Sequence, residues 1–457
     1  MNTNTVPIRF SYQRPSRFLD TFLLAATMAP PILAVICFGG VYSWIWGWLE
    51  VGLTLAVTVV LWSRALRQGF FWDWLLLPAL AFAGLVFWQW FSGYSIYPGA
   101  TLTGILQLAL YGMVFYLALQ CFRARGNLPI LGWTVWLLVG LLAMEGIAQY
   151  FTMPVRIYWF LSKPYANPFG PYVNRDDYAG CMDLLLPLAT VVALRRSPAA
   201  ASPGEQWLHW IRRGIFPLLG VISVVVSQAR GGVLTLLFEA IAAIVIFHPA
   251  RAERLRWLVA AAGAGSFLLL ANWAPLFERL AMLGHHNISA LDRLLLIRSS
   301  WLIFRHFPWL GTGFNTWATI YPAYQVFDNG KIFLYAHNEY VQLLAETGLV
   351  GFSIMLWFLV QYLIRIASIF HKPYGSHSYT RHLQKAAFLG TAGLMLHSLI
   401  EFQFHIPGNG MLFFLLAGAA TAHLAPPAAA IAGAELGRED HAPSRLHSVR
   451  MQPMDKA

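Results

Sequence analysis

Apolar stretches of about 20 residues, the length that one bilayer crossing requires, recur along the whole chain. They fall near 19–43, 45–63, 71–91, 102–122, 128–151, 179–194, 214–228, 231–248, 256–273, 345–367, 385–401 and 409–425, separated by polar or Gly/Pro-containing turns. The pattern predicts an all-α polytopic membrane protein with about twelve transmembrane helices. Only a Gln-Ala-Arg-Gly turn divides 214–228 from 231–248. The first span follows a basic, polar leader at 1–18, contains Pro30-Pro31 and is long enough to cross, so it reads as an uncleaved anchor. Two connections inside the helical region 19–425 are long, 152–178 and 274–344. The second contains Leu291–Phe304, whose apolar spacing suits a helix lying at an interface. The Ala/Pro-rich tail at 426–457 has no apolar periodicity and reads as disordered. Neither a short repeat nor the inverted repeats of many transporters are present.

Composition and charge sharpen this picture. Of 457 residues, 58% are hydrophobic and 11% charged, against about 25% charged in a soluble domain, which excludes a water-soluble globular protein. The net charge of +11, from 31 Lys+Arg over 20 Asp+Glu, bears on orientation rather than on nucleic acid. With leader and tail in the cytoplasm, 22 of the 31 basic residues lie inside, while the outer turns near 44, 92–101 and 402–408 carry none. Almost all the others sit in the two long outer loops, against the positive-inside rule, and need another reason to be there. Cys37, Cys121 and Cys181 lie far apart in apolar stretches and read as packing residues. His285-His286 and the trio His371, His377 and His382 lack ligand spacing, so no metal site is expected.

Four constellations carry candidate chemistry, all at the outer ends of spans. Asn167-Pro-Phe-Gly-Pro-Tyr-Val-Asn174-Arg175-Asp176-Asp177 is an irregular loop before the sixth span; helix capping accounts for the Asn and Asp residues, but not for Arg175. Ser227-Gln-Ala-Arg230-Gly-Gly sets a cation between two spans beside glycines that allow close approach; snorkelling of Arg230 to lipid head groups is the alternative. The run from Ala336 to Gly351 leads from the long loop into the tenth span and places His337 near a helix N-terminus. There the helix dipole favours neutral imidazole, able to take a proton; an ordinary interfacial histidine is the alternative. His397 and Glu401, at i and i+4, share a face of the eleventh span, for ligand binding or for packing.

Two of these motifs, together with a further stretch of the long loop, resemble the O-antigen ligase and polymerase superfamily: Ser227-x-x-Arg230-Gly-Gly, the stretch from Arg293 to Pro308-Trp-Leu-Gly-Thr-Gly-Phe-Asn315, and His337-Asn338-x-Tyr340-x-Gln342-x-x-x-Glu346-x-Gly348-x-x-Gly351. The resemblance covers about residues 165–420. It implies a GT-C-like helical fold in the bacterial inner membrane and a periplasmic active site. The donor would be a glycan on undecaprenyl pyrophosphate, with no metal or other cofactor. Arg175 and Arg230 match the arginines that grip the pyrophosphate, and His337 matches the histidine that acts on the acceptor. Asn174, Arg293, Arg298, Asn338, Tyr340, Gln342 and His405 are expected to bind substrate. Members are ligases to lipid A core, polymerases of repeat units or protein O-oligosaccharyltransferases, and the shared motifs do not separate these. The ligase, with lipid A core as acceptor and membrane lipids around it, is the expectation carried forward; the oligomeric state is not specified.

The chemistry of the residues agrees. Guanidinium groups hold pyrophosphate bidentately and offset the charge that grows as the anomeric bond breaks, and a neutral histidine can take the acceptor's proton. Glu346 lies nine residues beyond His337, about 13 Å by helical rise, so it is expected to be structural or to contact another segment. Trp309, Phe314, Trp317, Tyr321 and Tyr324 are candidates to stack on sugars or to anchor the loop at the interface. Glu145, Asp183 and Glu239, in or near apolar spans, motivate a rival from another class, a lipid-glycan flippase or transporter.

Overall fold

The computed structural model describes residues 17–67, 72–163, 166–195, 203–247, 290–328, 330, 332–371 and 378–424. The leader up to residue 16, the expected span at 256–273, the loop residues 274–289 and the tail from 425 lie outside these. Thirteen α-helices occupy most of the described residues: α1 Arg17–Ile36, α2 Ser43–Arg67, α3 Leu76–Phe91, α4 Pro98–Cys121, α5 Asn127–Thr152, α6 Arg175–Ala193, α7 Pro203–Ser227, α8 Arg230–Phe247, α9 Ala290–His306, α10 Trp317–Ile320, α11 Glu339–Phe370, α12 Ser378–His397 and α13 Pro407–Thr421. A two-residue hairpin, Arg156–Ile157 against Leu161–Ser162, is the sole sheet among the described residues.

Eleven of the twelve expected spans coincide with helices, and the twelfth, 256–273, lies outside the described residues. Six helices among the described residues have the length and apolarity of a membrane span: Phe18–Ile36, Ser43–Ser63, Pro98–Cys121, Asn127–Thr152, Arg230–Phe247 and Glu339–Phe370. The others fall short for physical reasons. Helix α13 has 15 residues, nearly all buried, and α6 carries Arg175, Asp176, Asp177 and Asp183. Helix α6 is packed by α5, α7, α8, α12 and α13, and a helix surrounded by protein need not be apolar all round.

Both charge and topology give the bundle two unlike ends. At one end Arg365 pairs with Asp73 at 2.7 Å, and Arg195 and Arg213 lie over the Tyr379 and Trp133 rings. At the other end α6, α8, α11 and α13 begin and α12 finishes, and the loops join them into one layer. Helix α9 closes this layer: Leu296, Ser299, Ser300 and Ile303, spaced for one face, are buried, whereas Leu291, Leu294 and Trp301 are exposed. The helix expected at Leu291–Phe304 is therefore present. Trp317 is fully buried, stacks on Tyr321 at 4.5 Å and donates its indole N–H to Ser300 Oγ at 2.8 Å, so these two rings are the core of the layer rather than a sugar platform.

Helix α11 is broken at Gly348, with φ 62° and ψ −165°. The stretch Pro308–Asn315 threads through the break. Thr312 and Gly313 N–H donate to the freed carbonyls of Ala345 and Glu346 at 3.1 and 3.0 Å, and Leu349 and Val350 N–H donate to the carbonyls of Pro308 and Trp309 at 2.8 and 3.1 Å. The backbone groups released by the break are thus satisfied. The buried Glu346 carboxylate accepts from Asn315 N–H at 2.7 Å and Trp317 N–H at 3.0 Å, which is the contact to another segment that its distance from His337 implied. A Cβ on Gly348 would run into the Trp309 carbonyl carbon, and one on Gly311 (φ +67°) into the Glu346 backbone. Gly348→Ala should therefore cost about 3 kcal/mol or more from strain and overlap, seen as a lower thermal unfolding midpoint in detergent. An unchanged midpoint would show that the two backbones are not in contact.

Candidate functional site

The site is built on the first turn of α11. Asn338 is its N-cap, in extended conformation, accepting from Val341 N–H at 3.0 Å. Its amide donates to Leu399 carbonyl at 2.8 Å, and Glu339 N–H donates to Ser398 carbonyl at 3.0 Å. These bonds seat α11 on the turn that follows α12. His337, just before the cap, is held at φ 50°, a left-handed conformation that costs a non-glycine residue about 1–2 kcal/mol. It faces Glu401 in that turn.

Glu401 is the centre of the arrangement. Its Oε2 lies 2.9 Å from His337 Nδ1, and its Oε1 pairs with Arg293 Nη2 of α9. Burial by itself would raise the Glu401 carboxyl, but the hydrogen bond from His337 and the charges of His337, Arg293 and His397 together hold it below the usual carboxylate range. An ionised Glu401 can only accept, so the proton in this contact is carried by His337 Nδ1, and Nε2 is the ring nitrogen turned away from the carboxylate. No described residue bonds His337 Nε2. The helix dipole is therefore not the main electrostatic neighbour of His337; a carboxylate is in direct contact with it.

The two arginines stand at the starts of α6 and α8. Asn174 caps α6, accepting from Asp176 N–H at 3.2 Å, and Arg175 donates its backbone N–H to Asn167 carbonyl at 2.8 Å. Arg230 is exposed at the first position of α8. Gln403 Nε2 donates to Asp176 carbonyl at 3.0 Å, which ties the loop carrying Glu401 to the start of α6. The starts of α6, α8 and α11 thus gather around the turn that follows α12, α8 through the approach of Gly231 to His397 and Ile400, and the positive ends of their dipoles face it.

The remaining expected substrate contacts have internal partners. Tyr340 donates its hydroxyl to Met395 carbonyl at 2.7 Å. Gln342 Oε1 accepts from Ala336 N–H at 2.9 Å, and its Nε2 lies 3.1 Å from both Glu346 Oε1 and His405 Nε2. His405 Nδ1 is 3.1 Å from Glu339 Oε2, and its ring lies 4.7 Å from Tyr335. Burial would lower the His405 imidazole, but Glu339 by charge and hydrogen bond, with Glu346, pushes it above its ordinary value. These three residues, with Asn338, form the frame under His337. Arg298 lies five residues beyond Arg293 on α9, about 140° round the helix, and is exposed away from the pair.

The reading of His397 and Glu401 as stacked on one helical face is corrected. Helix α12 ends at His397, and Glu401 lies beyond it. His397 turns instead to Asp183, Nδ1 to Oδ2 at 2.8 Å, with both side chains fully buried. Asp183, one of the acids that motivated a transporter, thereby has a partner. Glu401 was visible in the sequence as an acid at a span end, but nothing local connected it with His337, 64 residues earlier. Close to the site, Phe402 stacks on Tyr335 at 4.4 Å and meets the His337 ring edge-on at 4.8 Å. Among the described residues no cluster of His, Cys, Asp and Glu fits a metal ion.

No curated protein matches the chain significantly. Residues 215–356, from α7 through the Arg230 turn and α9 to the His337 run and the break in α11, match the family model described as O-antigen ligase, which supports the resemblance to the O-antigen ligase and polymerase superfamily.

Proposed function

We propose that the protein is an O-antigen ligase that transfers a glycan from undecaprenyl pyrophosphate to lipid A core at the periplasmic face of the inner membrane, through a GT-C-like helical body. The observation that carries this reading is the His337–Glu401–Arg293 chain at a point where three helix N-termini meet, two of them headed by Arg175 and Arg230. Arg175, Arg230 and the helix N-termini hold the donor's pyrophosphate. The acceptor hydroxyl attacks the anomeric carbon, the bond from that carbon to the phosphate oxygen breaks, and undecaprenyl pyrophosphate leaves with the electron pair. His337 Nε2 takes the hydroxyl proton as the new bond forms, and Glu401 stabilises the resulting imidazolium. Asn338, Tyr340, Gln342 and His405 act by holding His337, and Arg293 by fixing Glu401.

Purified protein in detergent, given a lipid pyrophosphate-linked glycan and lipid A core, is expected to form glycosylated core without a sealed bilayer. Growth of the lipid-linked glycan in place of core modification would make it a polymerase, and absence of any transfer would overturn the reading. In cells, Thr319→Cys, at an exposed position of the outer layer, should be labelled by an impermeant reagent from the periplasm. Labelling from the cytoplasm alone would invert the orientation.

A further inference from the structure

Behind the site lies a buried polar cluster that has no part in the bond-making steps proposed above. His397, the last residue of α12, is held by Asp183 of α6 at 2.8 Å, and its buried Nε2 has no hydrogen-bond partner among the described residues. That atom is turned toward Gly231 of α8. A Cβ on Gly231 would stand 2.5 Å from it and 2.9 Å from Ile400 Cδ1, and one on Gly232 would stand 2.6 Å from Ala179 Cβ of α6. The first turn of α8 therefore rests directly on the His397 ring and on α6. Arg230, one residue before these glycines, is itself exposed, so its position depends on where the turn sits.

We propose that His397, oriented by Asp183, is a positioning residue for the donor: its ring is the seat of the Arg230-Gly231-Gly232 turn and sets where the Arg230 guanidinium meets the pyrophosphate. This rests on the reading of Arg230 as a pyrophosphate contact. An aliphatic side chain could fill the same space, but it would not be tied to α6. The hydrogen bond to Asp183 fixes the ring's rotation, and so joins α6, α8 and α12 at one point. The glycines are part of the device, because any side chain at residue 231 would lift the turn off its seat.

The test is a double-variant cycle on the purified full-length protein, with steady-state kinetics for each substrate. His397→Ala is expected to raise the donor KM roughly tenfold, the effect of losing one buried hydrogen-bonded support, and to leave the acceptor KM unchanged. Gly231→Ala is expected to do the same by displacing the turn. In the double variant the added methyl group occupies the vacated space, so the donor KM should lie well below the product of the two single effects. His397→Gln, which keeps a polar side chain in the cavity, should show the same donor-specific change at smaller size, and it serves where the alanine variant is not recovered folded. Multiplicative effects, or equal changes in both KM values, would overturn the proposal. If the wild type transfers glycan and His397→Ala has a normal donor KM, this inference alone fails; if the wild type does not use the lipid-linked donor, the reading of the site fails beneath it.

Discussion

Replacing His337 with glutamine is expected to lower glycan transfer roughly 10²- to 10⁴-fold, the contribution of a general base, and to remove the fall in rate on the acid side. Glutamine can keep a hydrogen bond to Glu401 but cannot accept a proton at neutral pH. The structure adds a companion variant. Glu401→Gln removes the charge while keeping the shape, leaving Arg293 and the proton on His337 Nδ1 without their anion. It should lose activity to a similar extent and cost about 3–5 kcal/mol of stability, as expected when one partner of a buried pair is removed. The signs of the pH effects separate the two groups. Glu401 is held below its ordinary value, so its contribution to stability is present above the unfolded carboxyl value and is lost only as the pH falls through the lower folded one. Glu401, held below its ordinary value, stays charged through the neutral range, so a change in the pH profile there on replacing His337 is not owed to Glu401. The measurement is transfer rate against pH for the wild type and both variants. An active His337→Gln enzyme with its acid limb intact would remove His337 as the base.

Arg175→Ala and Arg230→Ala are each expected to slow transfer about 30- to 1000-fold, corresponding to roughly 2–4 kcal/mol of lost transition-state stabilisation, while the protein still inserts and folds. Each arginine stands at the first position of a helix, so a bound phosphate would meet the guanidinium together with the positive end of that helix's dipole. The residual rate in each variant comes from the helix dipole and the other arginine. Lysine should restore only part of it, because it keeps the charge but lacks the planar fork. Stability should hardly change, since alanine is well accepted at a first helical turn. Near-normal turnover in both alanine variants would mean that the two arginines anchor the protein to lipid head groups.

The chain's apolar periodicity determined the helices, because each transmembrane segment is a local matter of about 20 consecutive residues. It did not determine which helices are surrounded by protein. Helix α6 carries four charged residues and remains a central helix because its neighbours, contributed by residues far away in the chain, supply the surroundings that its own composition does not. Motif spacing brought forward His337, Arg175 and Arg230, since their special positions, before an N-cap and at first helical turns, are written in adjacent residues. The same motifs contain residues whose work is architectural. Glu346, Gly348 and Gly311 exist to let one backbone pass through a break in another, and no pattern within either segment states that the two meet.

The partners of the chemistry lay furthest from view. His397 and Glu401 have helical spacing, and spacing alone pairs them; the end of α12 at His397 turns one toward Asp183 and the other toward His337 and Arg293. The sequence by itself determined the helical body, the asymmetry of its charges and the candidates for the chemistry. Only the tertiary structure decided which carboxylate holds which imidazole, because burial creates that choice: a carboxylate taken out of water must take its partner from whatever the packed helices bring within 3 Å, and that depends on contacts between residues 64 and 214 positions apart.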